Sequence, residues 1–366
     1  MTTTTSTTLA LVRAAHAGDL ETVQRLVLLR DENNNDNDDD DEDDENNNNN
    51  NDESSTTTTI VNTCDSLGQT ALDAACRQGH VHVVHFLLRH GAVHTVSRRG
   101  GWRPLHAACV GNKNSNNKQQ QQKNTVRIIE QLLLWSSSSS SSHRHAAGVD
   151  MMLIQDRLRN GQTALHVAAA RGNGPAVHAL VSWCLSRQPP NDHYELLLLA
   201  VEKRGWTALH LAAYYGHVDV VQYFLSLPIL PRVVDALVDA KTTHEGHTAF
   251  FLAATACRTV GRTTVLRLLL QYQQQRQQRR SSSTSTNTLV DCPDALGRTA
   301  LYHAVKRRDT AMVRFLLFTA GATVRPVDLI HAAQQQEDDA DDAIYALTTA
   351  AVPQGLFAVS SIRVQA

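Results

Sequence analysis

The chain has 366 residues, a net charge of −2 and 42% hydrophobic residues, enough apolar material for a sizeable core. Aromatics are only 5%, which favours small-residue helix packing over a large sheet. No apolar run approaches the roughly 18 residues that a helix needs to cross a bilayer, and "MTTTTSTTLALVRAAHAGDL" is not expected to act as a secretory signal because it lacks a basic start and a continuous apolar segment. The small net charge conceals an asymmetry. Residues 31–53 hold 13 acids and no base, residues 337–342 hold five more acids, and between Ser54 and Gln336 there are 30 Lys and Arg against 16 Asp and Glu. The six cysteines, Cys64, Cys76, Cys109, Cys184, Cys257 and Cys292, show no paired spacing, so a reducing compartment, cytosol or nucleus, is expected.

In chain order, residues 1–8 read as a disordered start and 9–30 as a short helical cap. An acidic, Asn-rich insert fills 31–59, and helical units follow near 65–97 and 98–135, the second interrupted by a Gln-rich insert at 112–124. A Ser-rich insert at 136–148 precedes units near 156–186, 202–227 and 241–272. A further Gln/Ser insert at 273–288 leads to a unit at 294–323, a more polar cap at 324–350 and a tail at 351–366. Low-complexity tracts of this kind cannot bury apolar surface, and the inserts are expected to be disordered loops.

The units share a phrase: "LGQTALDAACRQGH" at 67–80, "NGQTALHVAAARGN" at 160–173 and "RGWTALHLAAYYGH" at 204–217. Taking its Thr as marker gives Thr70, Arg103 in place of Thr, Thr163, Thr207, Thr248 and Thr299, spaced by 33, 60, 44, 41 and 51 residues. The excesses over 33 are assigned to spliced-in loops, which a fold tolerates because closure cost grows slowly with length. Within the phrase, Ala164, Leu165, Ala168 and Ala169 fall at helical spacing and predict the buried stripe of a short first helix. Gly172 predicts its stop, and Val177, Leu180 and Val181 the buried side of a second helix. A helix–turn–helix of this size cannot bury its face alone, so it must be stacked on copies of itself. Cys76 and Cys109 are equivalent positions of adjacent units, and helices stacked about 8–10 Å apart lie beyond disulfide reach.

The chain resembles the ankyrin-repeat family, on "DSLGQTALDAACRQGHVHVVHFLLRHGA" (65–92), "GWRPLHAACVGN" (101–112), "NGQTALHVAAARGN", "GWTALHLAAYYGHVDVVQYFL" (205–225), "EGHTAFFLAA" (245–254) and "DALGRTALYHAVKRRDTAMVRFLLFTAGA" (294–322). The resemblance implies an all-α solenoid of stacked helix–turn–helix units joined by β-hairpin-like turns. It further implies that the repeated His106, His166 and His210 bond nearby backbone, and that partners dock on turn tips and first helices. The repeats at 98–135 and 241–272 depart most: the first carries a long inter-helix insert, and the second has Phe251 for His and Cys257 where Gly is expected.

No phosphate loop, HExxH, GxSxG or kinase catalytic loop is present, so no enzyme is expected. His82 and His85 sit on an outer helix face without Cys or carboxylate at ligand spacing, so neither metal nor cofactor is expected. What remains is a binding surface: Arg98, Arg99 and Arg103, then Arg157 and Arg159, then Lys203 and Arg204 make three consecutive basic tips, two of them bearing Trp102 and Trp206. Such tips predict a scaffold or adaptor for protein partners of acidic character. The rivals are nucleic-acid binding, against which the basic residues are dispersed and no stacking platform is evident, and a targeting subunit for an enzyme encoded elsewhere. The tract "DNDDDDEDDE" (36–45) adds an intramolecular expectation, in which the loop 31–53 covers the basic tips and competes with external acidic ligands.

Overall fold

A computed structural model describes residues 2–32, 60–93, 101–111, 117–138, 154–186, 193–227, 231–256, 261–280, 289–325 and 328. Regular structure among the described residues is helical, with no strand. They fall into two compact units, Met1–Lys203 and Arg204–Ala366.

In the first unit the helices come in pairs: α1 (Thr2–Ala17) with α2 (Leu20–Glu32), α3 (Ala71–Gln78) with α4 (Val81–Arg89), α5 (Pro104–Val110) with α6 (Lys118–Ser138), and α7 (Ala164–Arg171) with α8 (Gly174–Ser186). The first helices pack in the order α1, α3, α5, α7 and the second helices in the order α2, α4, α6, α8. A short helix α9 (His193–Leu198) follows against α8. The second unit holds α10 (Ala208–Tyr215), α11 (Val218–Leu225), α12 (Pro231–Asp239), α13 (Ala249–Thr255), α14 (Arg262–Arg280), α15 (Ala300–Lys306) and α16 (Thr310–Arg314), which runs into a π-helical turn at Phe315–Thr319. There α10, α13 and α15 stack in sequence, with α11 against α14.

The repeated phrase explains these elements residue by residue. The hydroxyls of Thr70 and Thr207 accept from the backbone N–H three residues on, and at Thr163 the same box is closed by His166, so the first helices start where the Thr stands. Gly79, Gly172 and Gly216 stop them in left-handed conformation. Arg103 supplies no side-chain cap, and Pro104 at the first helical position, which needs no N–H partner, takes its place. Leu165, Ala168 and Ala169 are fully buried, as are Leu209, Ala212 and Ala213. A buried Leu contributes about 1.5–3 kcal/mol, and the small Ala side chains let adjacent first helices approach, so enlarging Ala212 would overpack the stack by roughly 1–3 kcal/mol.

Several expectations about inserts are corrected. Residues 118–124 form the first turns of α6: the Gln/Lys run is a good helix former, Asn117 Oδ1 accepts from Gln120 N at 3.2 Å, and Gln121 and Asn124 donate to Gln78 O (3.3 Å) and Gly79 O (3.0 Å) of the preceding repeat. Residues 273–280 likewise belong to α14, where Arg276 Nη1 bonds Asp239 Oδ1 at 2.7 Å and Tyr272 donates to Asp235 at 3.0 Å, both on α12. The surpluses of 11 and 8 residues around Thr207 contain α9 and α12, whose apolar positions Leu197, Leu198, Val233, Val234, Leu237 and Val238 are buried. Helix α1 begins at Thr2, inside the stretch read as a disordered start, because Leu11, Val12, Ala14 and Ala15 bury its later turns. The remaining inserts, Cys257, most of the cap at 324–350 and the tail lie outside the described residues.

Candidate partner-binding surface

Each tip is a tight turn held by its own side chains. Asp65 Oδ1 accepts from Leu67 N and Gln69 N, both at 2.8 Å, Asn160 Oδ1 from Gln162 N at 3.0 Å, and Asp294 Oδ1 from Leu296 N (2.9 Å) and Arg298 N (2.8 Å). Successive tips touch backbone to backbone: Lys203 N donates to Asn160 O at 3.1 Å in the first unit, and Ala295 N to Glu245 O at 2.9 Å in the second. Two glycines show why the phrase needs them. A Cβ on Gly161 (φ +84°) would lie 2.9 Å from Lys203 N, and one on Gly205 (φ +74°) 2.4 Å from Thr243 N.

This framework sorts the basic residues. Arg103 Nη1 lies 2.5 Å from Asp156 Oδ2, joining its tip to the next one. Burial raises the Asp156 carboxyl's pKa and the Arg103 charge pulls it back, as expected of a half-buried pair. Arg157 Nη1 donates to Val201 O at 2.5 Å, so it too is spent on holding adjacent tips together. Gln162 donates to the buried Glu202 at 2.7 Å in the same seam. Arg159 and Lys203 are exposed in the first unit and Arg204 in the second. Arg98 and Arg99 lie outside the described residues.

The tryptophans are half-buried and locally packed. The Arg77 guanidinium stands 5.8 Å above the Trp102 ring, and His106 meets that ring edge-on at 6.3 Å. Trp206 meets Tyr214 edge-on at 5.2 Å, and Tyr214 meets Tyr215 at the same separation. The tyrosine pair was not singled out from the sequence; two adjacent aromatics at the end of a short Ala-rich helix were the available signal.

The repeated histidines are structural. His210 Nδ1 accepts from Thr207 N (3.1 Å), so Nε2 carries the proton and donates to Ala240 O (3.1 Å) and His247 O (3.2 Å). The neutral ring thus ties one repeat to the turn of the next, and burial lowers its pKa to about 4. His106, buried at the same position, is also lowered to about 4 by burial. The repeat containing α3 breaks the pattern: Asp73 takes the histidine's place, its Oδ2 accepting from Thr70 N at 3.2 Å while Oδ1 is buried without a hydrogen-bond partner. Burial pushes its pKa up to about 6. Among the described residues no group of three His, Cys, Asp or Glu is placed to hold a metal ion, and no helix is long and apolar enough to cross a membrane.

Stacked helix pairs with laced tips define a repeat protein whose chemistry is recognition. A family model described as "Ankyrin repeats (3 copies)" matches residues 11–117 and 120–235, and one described as "Ankyrin repeat" matches 296–329. The chain belongs to the ankyrin-repeat family, and it is a protein–protein interaction module. Over 66 residues, 18% of this chain, it is 38% identical to the Notch-regulated ankyrin repeat-containing protein of Xenopus tropicalis, covering 48% of that protein. Similarity over 66 residues is 36% to protein B of that name from Danio rerio (18% of this chain, 50% of that protein) and 36% to the Homo sapiens protein (18% and 48%). The chain spans about half the length of these relatives.

Proposed function

We propose that the chain is a non-catalytic adaptor that holds protein partners of acidic character against its turn tips. The observation that carries this reading is the exposure of Arg159 and Lys203 in the first unit and of Arg204 in the second, while Arg103 and Arg157 bond Asp156 and Val201 O. The tips are thereby rigid, so a partner loses little freedom in meeting them. Trp102 and Trp206 contribute apolar area beside the charges. The acidic segment 31–53 acts in the same reading as an internal competitor for these tips.

The test is capture of partners from nuclease-treated lysate, comparing the parent chain with Arg159→Glu, Lys203→Glu and Arg204→Glu combined. These exposed positions leave the internal ion pair and the Arg157 bond intact. Loss of specific proteins by the variant supports the tips; retention of the same proteins refutes them. If capture depends on nucleic acid, the adaptor reading fails. Deleting residues 33–53 should raise partner affinity at low salt, and unchanged affinity would remove the competitor.

A further inference from the structure

The second unit carries a further surface, at the ends of its first helices remote from the tips. Helix α10 ends in Tyr214 and Tyr215, with rings 5.2 Å apart at 82°, and Trp206 reaches along the helix to back Tyr214. Tyr215 is 48% exposed. The corresponding residues of α13 are Thr255 and Ala256, and those of α15 are Lys306 and Arg307. Because α10 packs on α13 and α13 on α15, the three ends are neighbours in that order. They are also laced together. Arg307 Nη1 donates to Thr255 O, and Arg262 donates to Ala254 O at 2.6 Å while pairing with Asp309 at 2.7 Å. Gly261 lies so near the turn after Tyr215 that a Cβ on it would stand 2.0 Å from Gly216 O. The edge therefore runs from aromatic through small to basic.

Arg308 extends the basic end in an unusual way. Nine residues after the capping Thr, the repeats containing α3, α7 and α10 have Gly79, Gly172 and Gly216, at φ between +68° and +87°. Arg308 occupies this position at φ +56°, the one non-glycine with positive φ among the described residues. Glycine would adopt that backbone without strain; arginine adopts it against steric preference and presents a third consecutive exposed cation. Lys306, Arg307 and Arg308, consecutive and exposed, make this end of the edge locally basic.

We propose that this edge docks an extended acidic peptide of a partner protein. An apolar side chain of the peptide lies on the Tyr214–Tyr215 pair, and its carboxylates meet Lys306 and Arg308, while Arg307 holds the end of α13 at Thr255 O. Charge selects the occupant, since Arg matches a carboxylate with a planar pair of donors. Tyr and Arg are also the side chains that anchor interfaces most strongly. The surface shares no residue with the set Arg159, Lys203 and Arg204, and its failure or success does not decide theirs.

Fluorescence anisotropy of the full chain with a short labelled peptide of alternating Glu and Phe tests the proposal. Arg308→Gly is the most informative variant, because it relieves the backbone and does not weaken binding by unfolding the unit. It and Lys306→Glu should each weaken binding about threefold to fivefold, and Tyr215→Ala about tenfold or more. A peptide with Gln replacing Glu should bind poorly, and the combined variant at Arg159, Lys203 and Arg204 should bind like the parent. The proposal is overturned if Arg308→Gly and Lys306→Glu leave affinity unchanged, if the Gln peptide binds as well, or if the tip variant loses binding to the same extent. It is overturned also if single-stranded DNA displaces the peptide at a lower concentration than unlabelled peptide does.

Discussion

Asp73 is the residue at which this stack departs furthest from its own repeat logic, and replacing it should stabilise the first unit. The side chain is 3% exposed, one oxygen is bonded to Thr70 N, and the other faces the interior without a donor. Burial holds its pKa at about 6, well above the ordinary carboxylate range, which corresponds to about 3 kcal/mol of cost for the ionised form. The native state holds this proton more tightly than the unfolded chain, so stability is greatest below about pH 4 and declines as pH rises toward 6. Asp73→Asn keeps the acceptor for Thr70 and removes the charge. One buried N–H then lacks an acceptor, which takes back about 1 kcal/mol. The variant should therefore be about 1–2 kcal/mol more stable than its parent at pH 8 and up to about 1 kcal/mol less stable at pH 4. Urea unfolding followed by tryptophan fluorescence on a Trp206→Phe background isolates the first unit, because Trp102, Trp135 and Trp183 all lie within it. The His106 titration is common to both proteins and cancels in the difference. A difference independent of pH, or an Asn variant less stable at pH 8, refutes the reasoning.

Four other outcomes are expected. Gly205→Ala should destabilise the second unit by at least about 2 kcal/mol, since it adds a left-handed alanine to a Cβ 2.4 Å from Thr243 N; thermal unfolding measures it. Arg262→Met should cost about 3 kcal/mol by leaving Asp309 and Ala254 O without their partner, read in the same way. The second unit should lose stability as pH falls from about 6.5 through 4, because the unfolded chain protonates His210 while the native ring, held to about 4, resists; denaturant midpoints across that range should fall, and a flat profile would contradict the neutral-ring assignment. With a thiol reagent, the half-exposed Cys64 and Cys292 should react well before Cys76 and Cys109, whose thiols burial holds well above their ordinary pKa, as mass spectrometry of alkylated peptides would record.

The helix pairs were legible because their causes are local. Thr as cap, Ala and Leu at helical spacing and Gly as stop each act within one turn, so α3, α7 and α10 could be placed from the sequence. Helices α9 and α12 were missed because counting surplus residues against a period treats every surplus as loop, although "PRVVDALVD" carries Pro at its first position and an apolar stripe of its own. The Gln runs misled for a different reason. Composition alone reads them as unable to pack, whereas Gln121 and Arg276 gain order from partners in the preceding repeat and on α12, which no local rule contains. The basic tips were legible as charge but not as geometry. Nothing in the sequence shows that Arg103 pairs with Asp156 or that Arg157 donates to Val201 O, the bonds that hold adjacent tips together.

That distinction bears on where recognition resides in a repeat protein. The residue three after each cap is buried in every repeat: His166 and His210 tie their own caps and His210 also the next turn, Asp73 ties its cap at a cost, and His106, Phe251 and Tyr302 fill the position by packing. A position filled in so many ways by buried side chains stabilises the stack and cannot discriminate between partners. Discrimination falls to residues exposed at the surface. Arg308 meets that criterion at a turn where glycine would serve the backbone better, φ +56°. Arg159, Lys203 and Arg204 meet it as well. Arg103, half-buried against Asp156, does not. If Arg308→Gly raises stability and lowers peptide affinity together, the strain at this turn is the cost of a binding residue; a rise in stability with no loss of binding would leave the arginine without a role in recognition.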